Sequence, residues 1–242
     1  MTEFKLNPEL DTDSLARRFS DIGRLHIPDF LCAQDADRLR RALSSSRGWW
    51  LVMNQGEKVF DIDPESRQRL SPQQIVLLDK AVADGARTGF QFRFENIRVP
   101  DSAAARSADP SPLSRFAEFM SSEPVLTLMR RITGDPEIAF ADAQATAYGA
   151  GHLLTAHDDN VAGKNRRAAW VYNLTRDWSV EWGGLLMFHG ADGHVAEGWV
   201  PRFNALNLFR VPQRHSVSQV ASFAPVRRIS VTGWLRAEPQ PS

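Results

Sequence analysis

Tyr148-Gly-Ala-Gly-His-Leu-Leu-Thr-Ala-His157-Asp-Asp159 opens the part of the chain whose reading decides the fold. Taken as an extended strand, it puts residues i and i+2 on one face and i+1 on the other. His157 and Asp159 then reach one point, and Asp158 joins them only if the backbone bulges. His215 follows far along the chain in Val-Pro-Gln-Arg-His215-Ser-Val, another strand-like run. Arg228 comes next, in Arg-Arg228-Ile-Ser-Val-Thr-Gly-Trp. Two distant strands that share a metal site ask for a barrel. Two imidazoles and one carboxylate can hold one face of a divalent ion such as Fe(II) and leave the opposite positions open. A later arginine can clamp a carboxylate by a bidentate pair.

Each member taken alone has a plainer reading. With six histidines and 29 acidic residues, a His-x-Asp pair arises readily by chance,. A histidine near the apolar run Asn207-Leu-Phe-Arg-Val-Pro is commonly a hydrogen-bonded core residue, and Arg228 can be an ordinary strand arginine. A rival metal cluster also exists: His189, Asp192 and His194 flank a hairpin tip, Phe188-His-Gly-Ala-Asp192-Gly193-His-Val, where Asp-Gly suits a primed turn,. Residues beside a tight turn are usually solvated. The specificity lies in the ordered set of His157, Asp159, His215 and Arg228.

Outward from this centre, Ile138 to Trp234 reads as short strand-like runs between turn residues, without helical periodicity. The first part of the chain is mixed. Ser14 is placed to cap a short helix through about Arg18, with Asp13 near its start. Gly23 to Phe30 reads as a short strand ending at Pro28. Ala33 to Ser45 carries Ala36, Leu39 and Leu43 at helical spacing. Trp49 to Met53 is strand-like. Ser71-Pro72 opens a helix with Ile75, Leu78 and Val82 on one face. Phe90-Gln-Phe-Arg-Phe-Glu alternates strictly, which predicts a strand with a buried aromatic face. Ala103 to Pro112 reads as an exposed, mobile loop and a candidate lid. Two helices follow, Leu113 to Met120 and Pro124 to Ile132, stopped by Gly134 and Pro136. Helices first and many short strands after predict an α+β fold on a jelly-roll barrel of the double-stranded β-helix type. The expected organisation is one domain over 1–242: helical support plus first strands over about 1–135, and the barrel core over about 138–236.

Composition excludes several classes. The chain has 242 residues, 43% hydrophobic and 10% aromatic, as a packed globular protein does,. Its 29 basic and 29 acidic residues cancel, so no global field steers it to nucleic acid or to an anionic membrane,. The single Cys32 excludes an intrachain disulfide framework and fits a reducing compartment; beside Phe30 and Leu31 it reads as a small buried hydrophobe,. The start lacks the pattern of a signal peptide, and no run approaches the roughly 18 apolar residues of a membrane helix. A cytoplasmic location is expected, with neither nucleic acid nor membrane as partner.

Four segments resemble the 2-oxoglutarate- and Fe(II)-dependent prolyl hydroxylase superfamily. They are Leu153-Leu-Thr-Ala-His157-Asp158-Asp159, Arg166-Arg167-Ala-Ala-Trp-Val, Trp178-Ser-Val-Glu-Trp182-Gly183-Gly184, and Arg228-Ile-Ser230-Val-Thr-Gly-Trp234. The branch they resemble most is the one that hydroxylates a proline of a small-subunit ribosomal protein. The resemblance implies His157, Asp159 and His215 as iron ligands, and Arg228 on the distal carboxylate of 2-oxoglutarate. Tyr148 and Thr232 would be further contacts to that co-substrate. Asn173 stands where prolyl hydroxylases commonly have a tyrosine, and its amide can still donate. The eukaryotic members carry a second, degenerate barrel; with eight residues after Trp234, this sequence is expected to be a catalytic domain alone.

The activity implied is hydroxylation of an unactivated C–H, with O2 as the second co-substrate and ascorbate in support. The substrate implied is a proline-containing protein or peptide, with a free amino acid or other small molecule as the alternative. A silent barrel acting as a binding module, and a zinc-dependent hydrolase, are the readings from other classes. Trp170, Trp178, Trp182, Trp199 and Trp234 read as packing residues rather than a substrate groove. Gly183-Gly184 reads as a close backbone approach, and Arg166 and Arg167 as a solvated face, with a grip on an acidic or backbone-carbonyl substrate as the alternative.

Overall fold

The computed structural model describes residues 4–238. Helix α1 (Thr12–Ile22) is capped three residues before Ser14: Asp11 is the cap, its carboxylate accepting from the Ser14 amide at 3.0 Å. A carboxylate fills this role as well as a hydroxyl and adds favourable charge at the amino end. Helix α2 (Ala33–Ser45) buries Ala36, Leu39 and Leu43, as their spacing predicts. After the single turn α3 (Pro64–Gln68), α4 (Pro72–Thr88) opens on a complete capping box between Ser71 and Gln74,. Of its predicted stripe, Val82 is buried, Leu78 is half-buried and Ile75 is exposed.

The segment read as a mobile loop is different. Ser102 caps a short helix, α5 (Ala103–Ala108), and its Arg106 is fully buried. That guanidinium donates to the carbonyls of Pro100, Ala117 and Ala141 at 2.6, 3.3 and 3.1 Å, and to the Ser121 hydroxyl at 3.2 Å. Alanines favour the helix, and one arginine nails it to the body of the protein; it is no lid. Helices α6 (Pro112–Met120) and α7 (Glu123–Thr133) follow, the latter closed by Gly134 in a left-handed conformation,.

Among the described residues thirteen strands form one antiparallel sheet that curls nearly into a barrel. They are β1 (Arg24–Ile27), β2 (Trp50–Gln55), β3 (Lys58–Ile62), β4 (Phe92–Arg98), β5 (Phe140–Ala141), β6 (Gln144–Tyr148) and β7 (Leu153–His157). Then come β8 (Arg166–Asn173), β9 (Leu186–His189), β10 (Val195–Trp199), β11 (Ala205–Arg210), β12 (His215–Val217) and β13 (Arg228–Arg236). The order is β1-β11-β8-β13-β6-β4-β7-β12-β9-β10, with the hairpin β2–β3 added beside β4 and β5 beside β13. Strand β4 turns the corner. Its Glu95–Arg98 end pairs with β6, and its Phe92–Arg93 end pairs with β7.

This is the double-stranded β-helix, and period-two alternation divides its surfaces. Trp170, Tyr172, Leu206, Leu208 and Val231 point outward and pack with Phe116, Met120 and Met129 of the helices into the main core. Ala169, Val171, Thr146, Ser230 and Thr232 line the inside. The inside is where the chemistry-bearing residues meet.

Candidate active site

His157 ends β7 and His215 begins β12, and the antiparallel register sets them directly opposite. Their ring centroids are 4.2 Å apart. Asp159 does not continue the strand. It takes a left-handed φ of 62°, which aspartate tolerates better than most residues, and so turns its carboxylate back over the strand end,. Its oxygens lie 3.4 Å from His157 Nε2 and 3.5 Å from His215 Nε2. The outcome matches the expected convergence, but by a turn rather than by strand alternation. Asp158 is directed elsewhere, accepting from the Asn160 amide at 3.0 Å.

The donor set fits a metal ion. One ligand atom from each of the three residues lies within 4.8 Å of the others. Both imidazoles are oriented from behind: His157 Nδ1 lies 3.0 Å from the Thr155 carbonyl and His215 Nδ1 lies 2.7 Å from that of Gln213. A carbonyl only accepts, so Nδ1 carries the proton and the Nε2 lone pair is left for an ion. Burial, helped by the charge of His157, pushes His215 down to about 4 and keeps it a neutral ligand at pH 7,. Burial works against the Asp159 carboxylate, but the facing imidazoles, in the range where they carry a proton, favour its charged form and hold it below the usual range.

Arg228 sits deeper in the same cavity, with only 2% of its surface exposed. Nη1 donates to the Gly184 carbonyl at 2.8 Å, while Nε is buried without a partner. Among the described residues no carboxylate pairs with it, and burial pushes its guanidinium down to about 10. An uncompensated buried cation is expensive, and a carboxylate-bearing ligand would satisfy it. The turn behind Arg228 is tightly packed: a Cβ on Gly184 would lie 3.2 Å from Val220 Cγ2 and 3.3 Å from the Trp178 ring, and one on Gly183 would strike the Gln219 carbonyl. Both glycines have positive φ, as the close-approach reading requires,.

Tyr148 lies across the β6–β13 register from Arg228, its ring 5.4 Å from the guanidinium carbon. Burial raises its phenol well above the ordinary value, so it is a neutral donor. Thr232 shares the inner face of β13 and lines the cavity beside Ser230, Thr146 and Gln144. Asn173 is not brought to the cavity wall. Its amide donates to the Ala205 carbonyl at 3.2 Å, and its Oδ1 is buried without a partner.

The cavity measures about 390 Å³. Two of its walls escape a reading of the sequence. Arg166 is no solvated arginine: its guanidinium stacks 3.5 Å over Trp234 and donates to the Asp159 carbonyl at 3.2 Å. Arg167 is on the surface, paired with Asp135 and Glu137. The aromatic face of β4 does not enter the core either; Phe90, Phe92 and Phe94 line the cavity. Trp170 is fully buried in the main core, as packing predicts, and Trp234, only partly buried, lines the cavity. The rival cluster does not form. His189 bonds Ser216 Oγ at 2.8 Å and His194 is exposed; among the described residues the three ligand atoms of His157, Asp159 and His215 are the set that converges.

Residues 143–236 match the 2OG-Fe(II) oxygenase superfamily. Over that segment, about two fifths of its length, the chain is similar to a 2OG-Fe(II) oxygenase domain. Iron, 2-oxoglutarate and O2 are general to that superfamily, and His157, Asp159 and His215 are a donor set that could hold the metal. Over 100 residues the chain is 37% identical to prolyl 3-hydroxylase OGFOD1 of Xenopus laevis, a match covering 38% of this chain and 19% of that relative. The corresponding figures for the Mus musculus protein of the same name are 31%, 38% and 18%. The match thus spans about a fifth of those curated relatives. Among solved structures, a Pseudomonas putida prolyl-4-hydroxylase superposes with a TM-score of 0.57 at 18% identity, over 93% of this chain and 98% of that one. A Trichoplax adhaerens prolyl hydroxylase, in complex with a hypoxia inducible factor peptide fragment, gives 0.60 at 17%, over 93% and 89%. At such identities these two show the shared fold.

Proposed function

We propose that the whole chain acts as one oxygenase domain that hydroxylates a prolyl residue of a polypeptide, with a ribosomal protein as the leading candidate substrate. The observation that carries the co-substrate assignment is Arg228: a buried guanidinium without an acidic partner, in the same cavity as three converging metal ligands. His157, Asp159 and His215 hold the iron, and Arg228 takes the distal carboxylate of 2-oxoglutarate with Tyr148 and Thr232 as flanking donors. The prolyl assignment is supported by the names of the curated relatives, and the ribosomal one by the resemblance of the four sequence segments to that branch.

With 2-oxoglutarate and O2, the iron supplies the oxidising power that replaces C–H by C–OH and yields succinate and carbon dioxide. The protein's own residues do the rest. The carbonyls of Thr155 and Gln213 fix both imidazoles. Phe92 and Phe94 keep water from the inner wall, and a dry site strengthens the pairing of Arg228 with a carboxylate. Arg166, held flat on Trp234, offers donors for a substrate backbone carbonyl. A cytoplasmic location and support by ascorbate belong to the same proposal, and the single Cys32 is free, as a reducing compartment would keep it,.

The test is succinate formation from 2-oxoglutarate with Fe(II) and ascorbate, comparing wild type with His157→Ala. Succinate that disappears in the variant supports the chemistry, and peptides from ribosomal proteins are then compared with free amino acids. Turnover with free amino acids and none with peptides would overturn the polypeptide assignment. Metal affinity should fall in His157→Ala by more than the roughly 10–100-fold that loss of a supporting hydrogen bond costs.

A further inference from the structure

The cavity carries an apolar wall that holding iron and 2-oxoglutarate leaves unused. Phe90, Phe92 and Phe94 alternate along β4 and the residues leading into it, so all three face one way. Their rings step inward with centroids 5.7 and 5.5 Å apart, and Phe94 stacks on Tyr148 at 5.5 Å. The inner two are half-buried. Phe90 at the rim is 47% exposed, and its ring centroid lies 5.5 Å from that of His157. Val161, equally exposed, lines the same cavity.

This rim is a built platform. The Phe90 carbonyl accepts from Asn54 Nδ2 at 2.9 Å. The next residue, Gln91, is buried, donates from its side chain to the Asn54 carbonyl at 2.6 Å and from its amide to Thr155 Oγ1 at 2.8 Å. The backbone under the ring is therefore fixed to β2 and β7. A rigid aromatic side chain that stays half in water beside a metal site offers apolar area that a ligand can cover at little cost in conformational entropy.

We propose that Phe90 is a specificity-determining contact, covering an apolar side chain one or two positions from the hydroxylated residue of the substrate. The inference rests on the polypeptide reading above. The spacing follows from chain geometry: successive Cα atoms are about 3.8 Å apart, so a neighbour of the residue held at His157 arrives over the Phe90 ring. An anionic neighbour there loses hydration without gaining a partner, because the face of the ring repels negative charge.

The test exposes a proteome-derived peptide mixture to the iron-loaded enzyme with 2-oxoglutarate and oxygen-18 gas, and reads the residues flanking each labelled site. Wild type should favour apolar residues one or two positions away by about tenfold, the discrimination that a modest apolar contact supplies. Phe90→Leu should retain the preference, Phe90→Ala should flatten it, and Phe90→Glu should turn it towards basic residues. A second readout is independent of turnover. In oxygen-free titrations of a labelled peptide, its affinity should drop about tenfold in Phe90→Ala, and that of its alanine-flanked version should hardly move. Labelled peptides with no flanking preference, or a preference unchanged in Phe90→Ala and Phe90→Glu, would overturn the inference and leave the polypeptide reading standing. Turnover of 2-oxoglutarate with no peptide labelled would remove both.

Discussion

Two buried cationic or titratable residues make opposite demands on the protein. Arg228 has no acidic partner among the described residues, so it weakens the ligand-free fold and strengthens the complex. Arg228→Met should raise the melting temperature of the ligand-free protein, since replacing a buried charge by an apolar group of similar size commonly stabilises by about 1–4 kcal/mol. The same variant should lose about 2–5 kcal/mol of 2-oxoglutarate binding, read by titration calorimetry. A variant that melts lower and binds normally would sink the assignment. His152 works through protons. It is buried, and burial, reinforced by Arg93, pushes it from an ordinary 6.5 down to about 4. Its Nδ1 also accepts from the Gly149 amide at 3.2 Å, which only the neutral ring can do. Between these values the unfolded chain binds a proton that the folded one refuses. Stability should therefore be full above about pH 6.5 and fall as pH drops towards 4, by up to about 3 kcal/mol from this residue. Denaturant midpoints across that range should fall less steeply in His152→Gln; an unchanged slope would dismiss the account.

At the scale of elements, α5 depends on one side chain. Arg106→Met would take a donor from the carbonyls of Pro100, Ala117 and Ala141; the last two keep the Ser121 amide and hydroxyl, so the cost is that of the lost hydrogen bonds, about 0.5–1.5 kcal/mol each,. Denaturation should show a loss of about 3 kcal/mol. A loss confined to a few tenths would mean that α5 is a passenger. The sequence around α5 explains why it was not legible: Ala, Ser, Asp and Pro suit loops and short helices alike, and what decides is a guanidinium reaching residues far along the chain. Helix α2 shows the opposite case, since Ala36, Leu39 and Leu43 carry their own periodicity. The convergence of His157, Asp159 and His215 was legible in their residue types and order, although the turn at Asp159 was not. The alternation of Phe90, Phe92 and Phe94 disclosed a strand with two unlike faces; it was silent on whether the apolar one meets a core or a cavity. Strand β3 went unseen because exposed charges interrupt its pattern. Arg166 reaches Trp234 only through the β8–β13 register and its shift next to Arg236, which nothing local records.

The whole molecule is where the division between support and barrel can be tested. Strand β4 comes from the first half of the chain and is the link between β6 and β7, while β1 covers the edge of β11. Residues 138–236 alone would keep His157, Asp159, His215 and Arg228 yet lose both partners. The exposed edges of β6, β7 and β11 would present unpaired amides and carbonyls, a template for aggregation. The outward face of Trp170, Tyr172, Leu206 and Leu208 would also lose Phe116, Met120 and Met129, which complete the main core from α6 and α7. Excision removes strand pairing and core together, so the fragment should fail to fold as a monomer. The full chain should unfold in one step, with tryptophan fluorescence and far-ultraviolet circular dichroism giving coincident transitions. Trp49 and Trp50 report on the first half and Trp170 and Trp234 on the second, so separate halves would give separate midpoints. A cooperatively folding, metal-binding monomer made of 138–236 would show that the amino-terminal half is an accessory. The corner turned by β4 argues against that, because the wall bearing the Phe90 ladder and the strand bearing His157 are held in register by the same pairing.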